Sequence, residues 1–102
     1  MTPEYKVKVK IREVLKAHGA YYHMPVQNGL GAPSLDFIGC YYSNYFAVEA
    51  KAPGKKMTPR QVVTAREIAA CYGKVFLIDG DTKELEEWLG NIRASWLGHQ
   101  VL

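Results

Sequence analysis

Cysteine is scarce in this chain: there are two, Cys40 and Cys71. They stand far apart with no CxxC or Cys/His spacing, which argues against a zinc site and gives no disulfide framework. Both are expected to be small buried hydrophobes in a reducing compartment. No apolar run approaches the roughly 20 residues that a membrane span needs. No signal peptide is visible either, since Met1-Thr2-Pro3-Glu4 runs directly into a charged segment. Internal repeats and low-complexity stretches are missing. An intracellular protein with no membrane partner is expected. At 102 residues there is no room for a second core, so 1–102 is read as a single domain. Net charge is also small, and +3 permits a nucleic-acid partner without demanding one. Apolar material is not short: 48% of residues are hydrophobic and 12% aromatic, ordinary for a folded globular chain.

Thr2-Pro3-Glu4 opens a helix, with Thr2 as N-cap and Pro3 as the first helical residue. It should run to about His18 and stop at Gly19. At about 100° per residue, Val7, Ile11, Leu15 and His18 form the inward stripe. Glu4 falls on that stripe, close to Lys8, whereas Glu13 falls on the opposite side beside Lys6, Lys10 and Lys16. Tyr21 to Val26 reads as a strand ending near Pro25, followed by a glycine-rich loop from Gln27 to Pro33. His23 is expected on the surface and not as a metal ligand. Two short apolar runs follow, Ser34 to Gly39 and Asn44 to Lys51, joined by a turn at 40–44. After a basic loop, Ala52 to Met57, the stretch Thr58-Pro59-Arg60-Gln61 makes a strong helix start with a T-x-x-Q capping box. That helix should reach about Tyr72, with Gln61, Ala65, Ile68 and Tyr72 on one face and Gly73 ending it. Lys74 to Ile78 is an unbroken apolar run and reads as a buried strand. A last helix begins around Asp81 and Glu84, carries the stripe Leu85, Trp88, Leu89, Ile92 and Trp96, and should stop at Gly98. The element order is α-β-β-β-α-β-α. The Asp36 and Glu49 strands should be antiparallel neighbours, and the Glu49 and Val75 strands parallel with a right-handed crossover.

Three charged residues sit oddly among these apolar runs. Asp36 interrupts Leu35-Asp36-Phe37-Ile38, and Glu49 and Lys51 close Phe46-Ala47-Val48-Glu49-Ala50-Lys51. Alternate strand residues share a face, so Glu49 and Lys51 point together, away from Val48 and Ala50. On a wet face they could be an ordinary ion pair. Half-buried carboxylates, however, are costly unless something pairs with them, and a divalent cation pairs with two at once.

An acid in the first helix, an aspartate in one strand, E-x-K in the next and then a T-x-x-Q helix resembles the PD-(D/E)xK nuclease superfamily. The order Gly31, Asp36, Val48-Glu49-Ala50-Lys51-Ala52-Pro53, Thr58-Pro59-Arg60-Gln61 most resembles its VRR-NUC branch, over roughly residues 4 to 79. That branch includes small stand-alone phage proteins and nuclease domains of larger repair enzymes. Its members commonly carry proline immediately before the aspartate; here Leu35 stands there, with Pro33 two places earlier. The resemblance implies an α/β, restriction-endonuclease-like αβββαβ core with a small mixed sheet flanked by helices and a C-terminal helix. It also implies a metal-dependent DNA endonuclease. Asp36, Glu49 and the backbone carbonyl of Ala50 would hold Mg²⁺ or Mn²⁺, with Glu4 completing the site directly or through water. Lys51 would orient the attacking water or neutralise charge on the phosphate. Gln61 either only closes the capping box or also helps place substrate. Lys55, Lys56 and Arg60 are candidate phosphate contacts near a helix N-terminus. Lys6, Lys10 and Arg12 are a second patch, read as a solvated face. The expected partner is DNA, branched as for a Holliday-junction resolvase, cut by a homodimer to which Trp88, Trp96 and Val101-Leu102 could lend apolar contact. The alternatives are a flap, nick or single-strand nuclease of the same fold, or a non-catalytic DNA-binding module.

Overall fold

The computed structural model describes residues 1–26, 31 and 33–101, so most of the expected glycine-rich loop and Leu102 lie outside the described residues. Its elements are α1 (Pro3–His18), β1 (Tyr21–His23), β2 (Phe37–Tyr41), β3 (Asn44–Ala50), α2 (Pro59–Ala70), β4 (Lys74–Ile78) and α3 (Lys83–Val101). The result is a mixed α/β fold, a four-stranded mixed sheet with three helices.

Local signals account for the ends of α1. The Thr2 hydroxyl accepts a hydrogen bond from the Tyr5 N–H at 3.1 Å, and Pro3 occupies the first turn, where its missing N–H has no intrahelical partner to lose. Gly19 closes the helix in the left-handed region (φ 72°), a conformation glycine adopts without a Cβ penalty. Val7, Ile11 and Leu15 are buried, as their spacing requires, and His18 is half-buried.

The strand order is β1-β2-β3-β4, with β1–β2 and β2–β3 antiparallel and β3–β4 parallel across the α2 crossover. One face of the sheet packs Phe37 and Tyr41 of β2, Phe46, Val48 and Ala50 of β3, and Phe76 and Ile78 of β4 against Val7, Ile11, Leu15, Leu85 and Leu89 from α1 and α3. Full burial of each such large apolar side chain contributes about 1.5–3 kcal/mol. Trp88 adds an edge-on ring against both Phe46 and Phe76, with centroids at 5.8 and 5.5 Å. Ala47 and Glu49 point to the other face, the one that α2 covers.

Several sequence expectations are corrected. β1 stops at His23 rather than near Pro25. Lys74–Ile78 is an edge strand and not fully buried: Leu77, the β4 partner of Glu49, is 47% exposed. Both cysteines are exposed rather than buried. α2 ends at Ala70, and Tyr72, at φ 66° and 98% exposed, leaves the apolar face assigned to it. α3 runs through Gly98 to Val101, because a single helical glycine costs only about 1 kcal/mol against alanine. Trp88 is partly buried and packs against the core. Among the described residues no helix is long and apolar enough to cross a membrane.

Candidate active site

Asp36 sits in a bend immediately before β2, and Glu49 and Ala50 are the last residues of β3. Antiparallel pairing of Phe37 with Val48 therefore brings the aspartate alongside the end of β3. Two hydrogen bonds lock them reciprocally. The Ala50 N–H donates to Asp36 Oδ2 at 3.0 Å, and the Asp36 N–H donates to Glu49 Oε1 at 3.3 Å. Lys51 follows directly; its N–H donates to the Ile78 carbonyl at 2.9 Å, extending the β3–β4 ladder and fixing where the side chain starts. The Lys51 ammonium lies 3.5 Å from Glu49 Oε2, so the pair expected to share a face does so.

Gln61 joins this group from α2 while also serving the cap. Its side-chain carbonyl accepts from the Thr58 N–H at 2.9 Å, its own N–H donates to Thr58 Oγ1 at 3.2 Å, and its amide nitrogen donates to Glu49 Oε2 at 2.9 Å. Both readings of Gln61 therefore hold geometrically: one amide closes the capping box and grips the carboxylate. Thr58→Ala removes one arm of the box and should lower stability by about 1 kcal/mol, read as the denaturant midpoint. An unshifted midpoint would mean that Pro59 and Gln61 start the helix without it.

Among the described residues Glu49 is the one buried ionisable side chain of the sheet's end, with a residue exposure of 2%. Burial raises its pKa from 4.5 to about 7, and the neighbouring Asp36 charge adds to the rise; the Lys51 ammonium and the Asp36 N–H oppose it. Two carboxylates are thus held together against desolvation and mutual repulsion, with one lysine compensating in part.

Glu4 is brought to the same end of the molecule, but not onto Asp36 directly. Lys8 Nζ stands between them, 3.6 Å from Glu4 Oε2 and 3.7 Å from Asp36 Oδ1. Glu4 remains half-exposed, with 43% of its side chain accessible. Sequence reasoning did not single out Lys8. Its i,i+4 spacing from Glu4 was the available signal, but its meaning depends on where the first turns of α1 meet the start of β2.

Lys55, Lys56 and Arg60 are exposed beyond Lys51, on the loop into α2 and its first turn. The Gly54 N–H donates to Asp79 Oδ2 at 3.1 Å, which ties that loop to the end of β4. Lys6, Lys10 and Arg12 do not form one patch. Arg12 lies beside Tyr22 of β1, and Lys6 and Lys10 lie more than about 100° around the helix from it. A cavity of about 670 Å³ lined by Ser43, Tyr45, Glu67, Ile68 and Tyr72 lies at the other end of β3 and touches neither Asp36 nor Glu49.

The donor set suits a hard divalent cation. Asp36 and Glu49 supply carboxylate oxygens, and the Ala50 carbonyl points to the same strand edge as its N–H, toward Asp36. Among the described residues no three His, Cys, Asp or Glu side chains cluster tightly enough to hold an ion by themselves. The protein would thus provide two carboxylates and one carbonyl, leaving the other positions to water, as Mg²⁺ prefers. Compared with protein families and with curated proteins, the chain matches none.

Proposed function

We propose that the protein is a metal-dependent DNA endonuclease of the PD-(D/E)xK type, VRR-NUC-like, with a restriction-endonuclease-like αβββαβ core. One observation carries this reading. Asp36, Glu49, Lys51 and Gln61, drawn from three segments, meet at one end of the sheet through direct hydrogen bonds and an ion pair. A purely structural sheet end has no need of two abutting carboxylates, one of them buried, beside an exposed basic loop.

In this mechanism Asp36, Glu49 and the Ala50 carbonyl would hold Mg²⁺ or Mn²⁺, which when bound would supply an activated water and polarise the scissile phosphate. Lys51 presents a fixed cation where charge builds on the phosphate, in a site partly closed to water. Gln61 keeps Glu49 aimed. Glu4 acts from the second rank through Lys8. Lys55, Lys56 and Arg60 receive flanking phosphates. A homodimer related by a two-fold axis would place two such sites on two strands, which suits a branched, junction-like substrate. Among the described residues, Trp96 and Leu97 of α3 are exposed apolar groups that could lend that contact.

The test is cleavage of a labelled four-way junction beside a matched linear duplex, with Mg²⁺, Mn²⁺ or EDTA, by wild type and Lys51→Ala. Paired, metal-dependent cuts in the junction alone, abolished in Lys51→Ala, are the expected result. Cutting of both substrates would keep the nuclease and remove the junction preference. Tight junction binding without cleavage under any metal would replace the enzyme with a binding module.

A further inference from the structure

Helix α1 carries a second ordered set of charges. Lys8, Arg12 and Lys16 recur every four residues, so they stand on one ridge of the helix with a step of about 6 Å along its axis. The inner end of that ridge is at the carboxylates, where Lys8 Nζ lies 3.7 Å from Asp36 Oδ1. Its outer members, Arg12 and Lys16, line a cleft of about 200 Å³ with Val9, Glu13 and Tyr22. The Tyr22 phenol beside Arg12 raises the pKa of the guanidinium, through hydrogen bonding first and charge second.

The ridge answers an electrostatic difficulty. A polyanion approaching this site meets Glu4, Asp36 and Glu49, and repulsion from three acids must be offset nearby. Lys55, Lys56 and Arg60 supply positive charge on the α2 side. On the α1 side the same service falls to the ridge, because Lys6 and Lys10 face away. Glu13 lines the same cleft and opposes anion entry there, which confines phosphates to the crest of the ridge.

We propose that Lys8, Arg12 and Lys16 form a phosphate track along which the sugar–phosphate backbone of a DNA strand runs toward the Asp36–Glu49 site. The inference rests on the nuclease reading and extends it, since it assigns the second flank of the substrate. Lys8 is the hinge of the arrangement: it neutralises Glu4 and Asp36 in the free protein and faces the incoming phosphate in the complex.

Salt-dependent binding tests it. Fluorescence anisotropy of a labelled four-way junction is followed in EDTA, so that nothing is cleaved, for wild type, two double alanine variants and one charge-conserving exchange. Arg12→Ala/Lys16→Ala removes two charges from the ridge; Lys6→Ala/Lys10→Ala removes two from the same helix on another side. Each phosphate that a variant no longer neutralises lowers the slope of log K against log[salt] by about 0.9. The ridge variant is expected to drop about two units of slope and to bind roughly ten-fold or more weakly, while the control stays within about two-fold. Arg12→Lys/Lys16→Arg, which keeps both charges, is expected to retain the slope. All four side chains changed are exposed, and thermal melts confirm that each variant folds. Equal losses in both double variants would reduce the effect to diffuse charge and overturn the track. Unchanged binding by the ridge variant, with wild type binding and cleaving, would overturn the track and leave the nuclease intact. If wild type neither binds the junction nor cuts it with Mn²⁺, the nuclease reading falls and the track with it.

Discussion

Glu49→Gln is expected to cut metal-dependent cleavage by about a thousand-fold or more, and to remove most of the pH dependence of stability in the metal-free protein. On the proposed nuclease reading, the first effect follows from losing one of the two carboxylates that would hold the cation, the one that Lys51 and Gln61 both contact. The second follows from the proton that the folded protein retains. Glu49 ionises near pH 7 in the fold, against 4.5 ordinarily, chiefly through burial and then through Asp36. Between those values the folded state binds a proton that the unfolded chain has released. The stability contributed by the protonated side chain is therefore complete below about pH 4.5 and is lost as pH rises through about 7. At about 1.4 kcal/mol per unit, the loss over the whole range is on the order of 3 kcal/mol. Urea melts in EDTA at about pH 5 and about pH 8 should show wild type weakening and the glutamine variant holding level. A divalent cation should restore the wild type at the higher pH and leave the variant where it was. An equal slope in both proteins would assign the proton to another group.

Gly39→Ala should be the most damaging single methyl group in the sheet. A Cβ at this position would collide with the Phe46 ring and with the Tyr21 carbonyl of β1. Gly39 pairs with Phe46 across β2–β3 and with Tyr22 across β1–β2, so it is held from both sides. Phe46 cannot swing clear, since its ring already packs against Trp88, and the carbonyl is backbone. Overpacking typically costs about 1–3 kcal/mol, and a backbone collision belongs at or above the top of that range. Each kcal/mol is worth roughly 4–8 °C in a domain of this size, so a fall in Tm of more than about 10 °C is expected. Gly90→Ala in α3, where a Cβ meets nothing within 4 Å, serves as the contrast and should gain about 0.5–1 kcal/mol. A Gly39→Ala protein melting with wild type would show that β1 detaches at little cost.

Much of the architecture was legible because its signals are local. Thr2-Pro3 and Thr58-Pro59-x-Gln61 announce helix starts through hydrogen bonds that span three residues, and both form. Alternation placed Glu49 and Lys51 together, and the short turn placed β2 against β3. What escaped depends on distant packing. An apolar run such as Lys74 to Ile78 does not say whether another strand lies beyond it, so its edge position and the exposure of Leu77 were invisible. The cysteines likewise had no pattern from which exposure could be read. Within the site, the carboxylates and Lys51 declared themselves as charges in apolar strands. Lys8 did not, because a lysine in a helix rich in lysines gains its partner only when α1 docks on the sheet.

The double duty of the Gln61 amide ties the site to a helix end. Helix ends are where structure opens first and where backbone amides exchange with solvent most readily. When the first turn of α2 frays, the Thr58 and Gln61 amides become exposed and Glu49 loses its neutral donor in the same event. The protection of those two amides therefore reports on the site: a ligand of Glu49 that binds the closed cap in preference to the frayed one slows their exchange. The occupancy of a carboxylate can be followed at a helix cap, without observing the carboxylate itself.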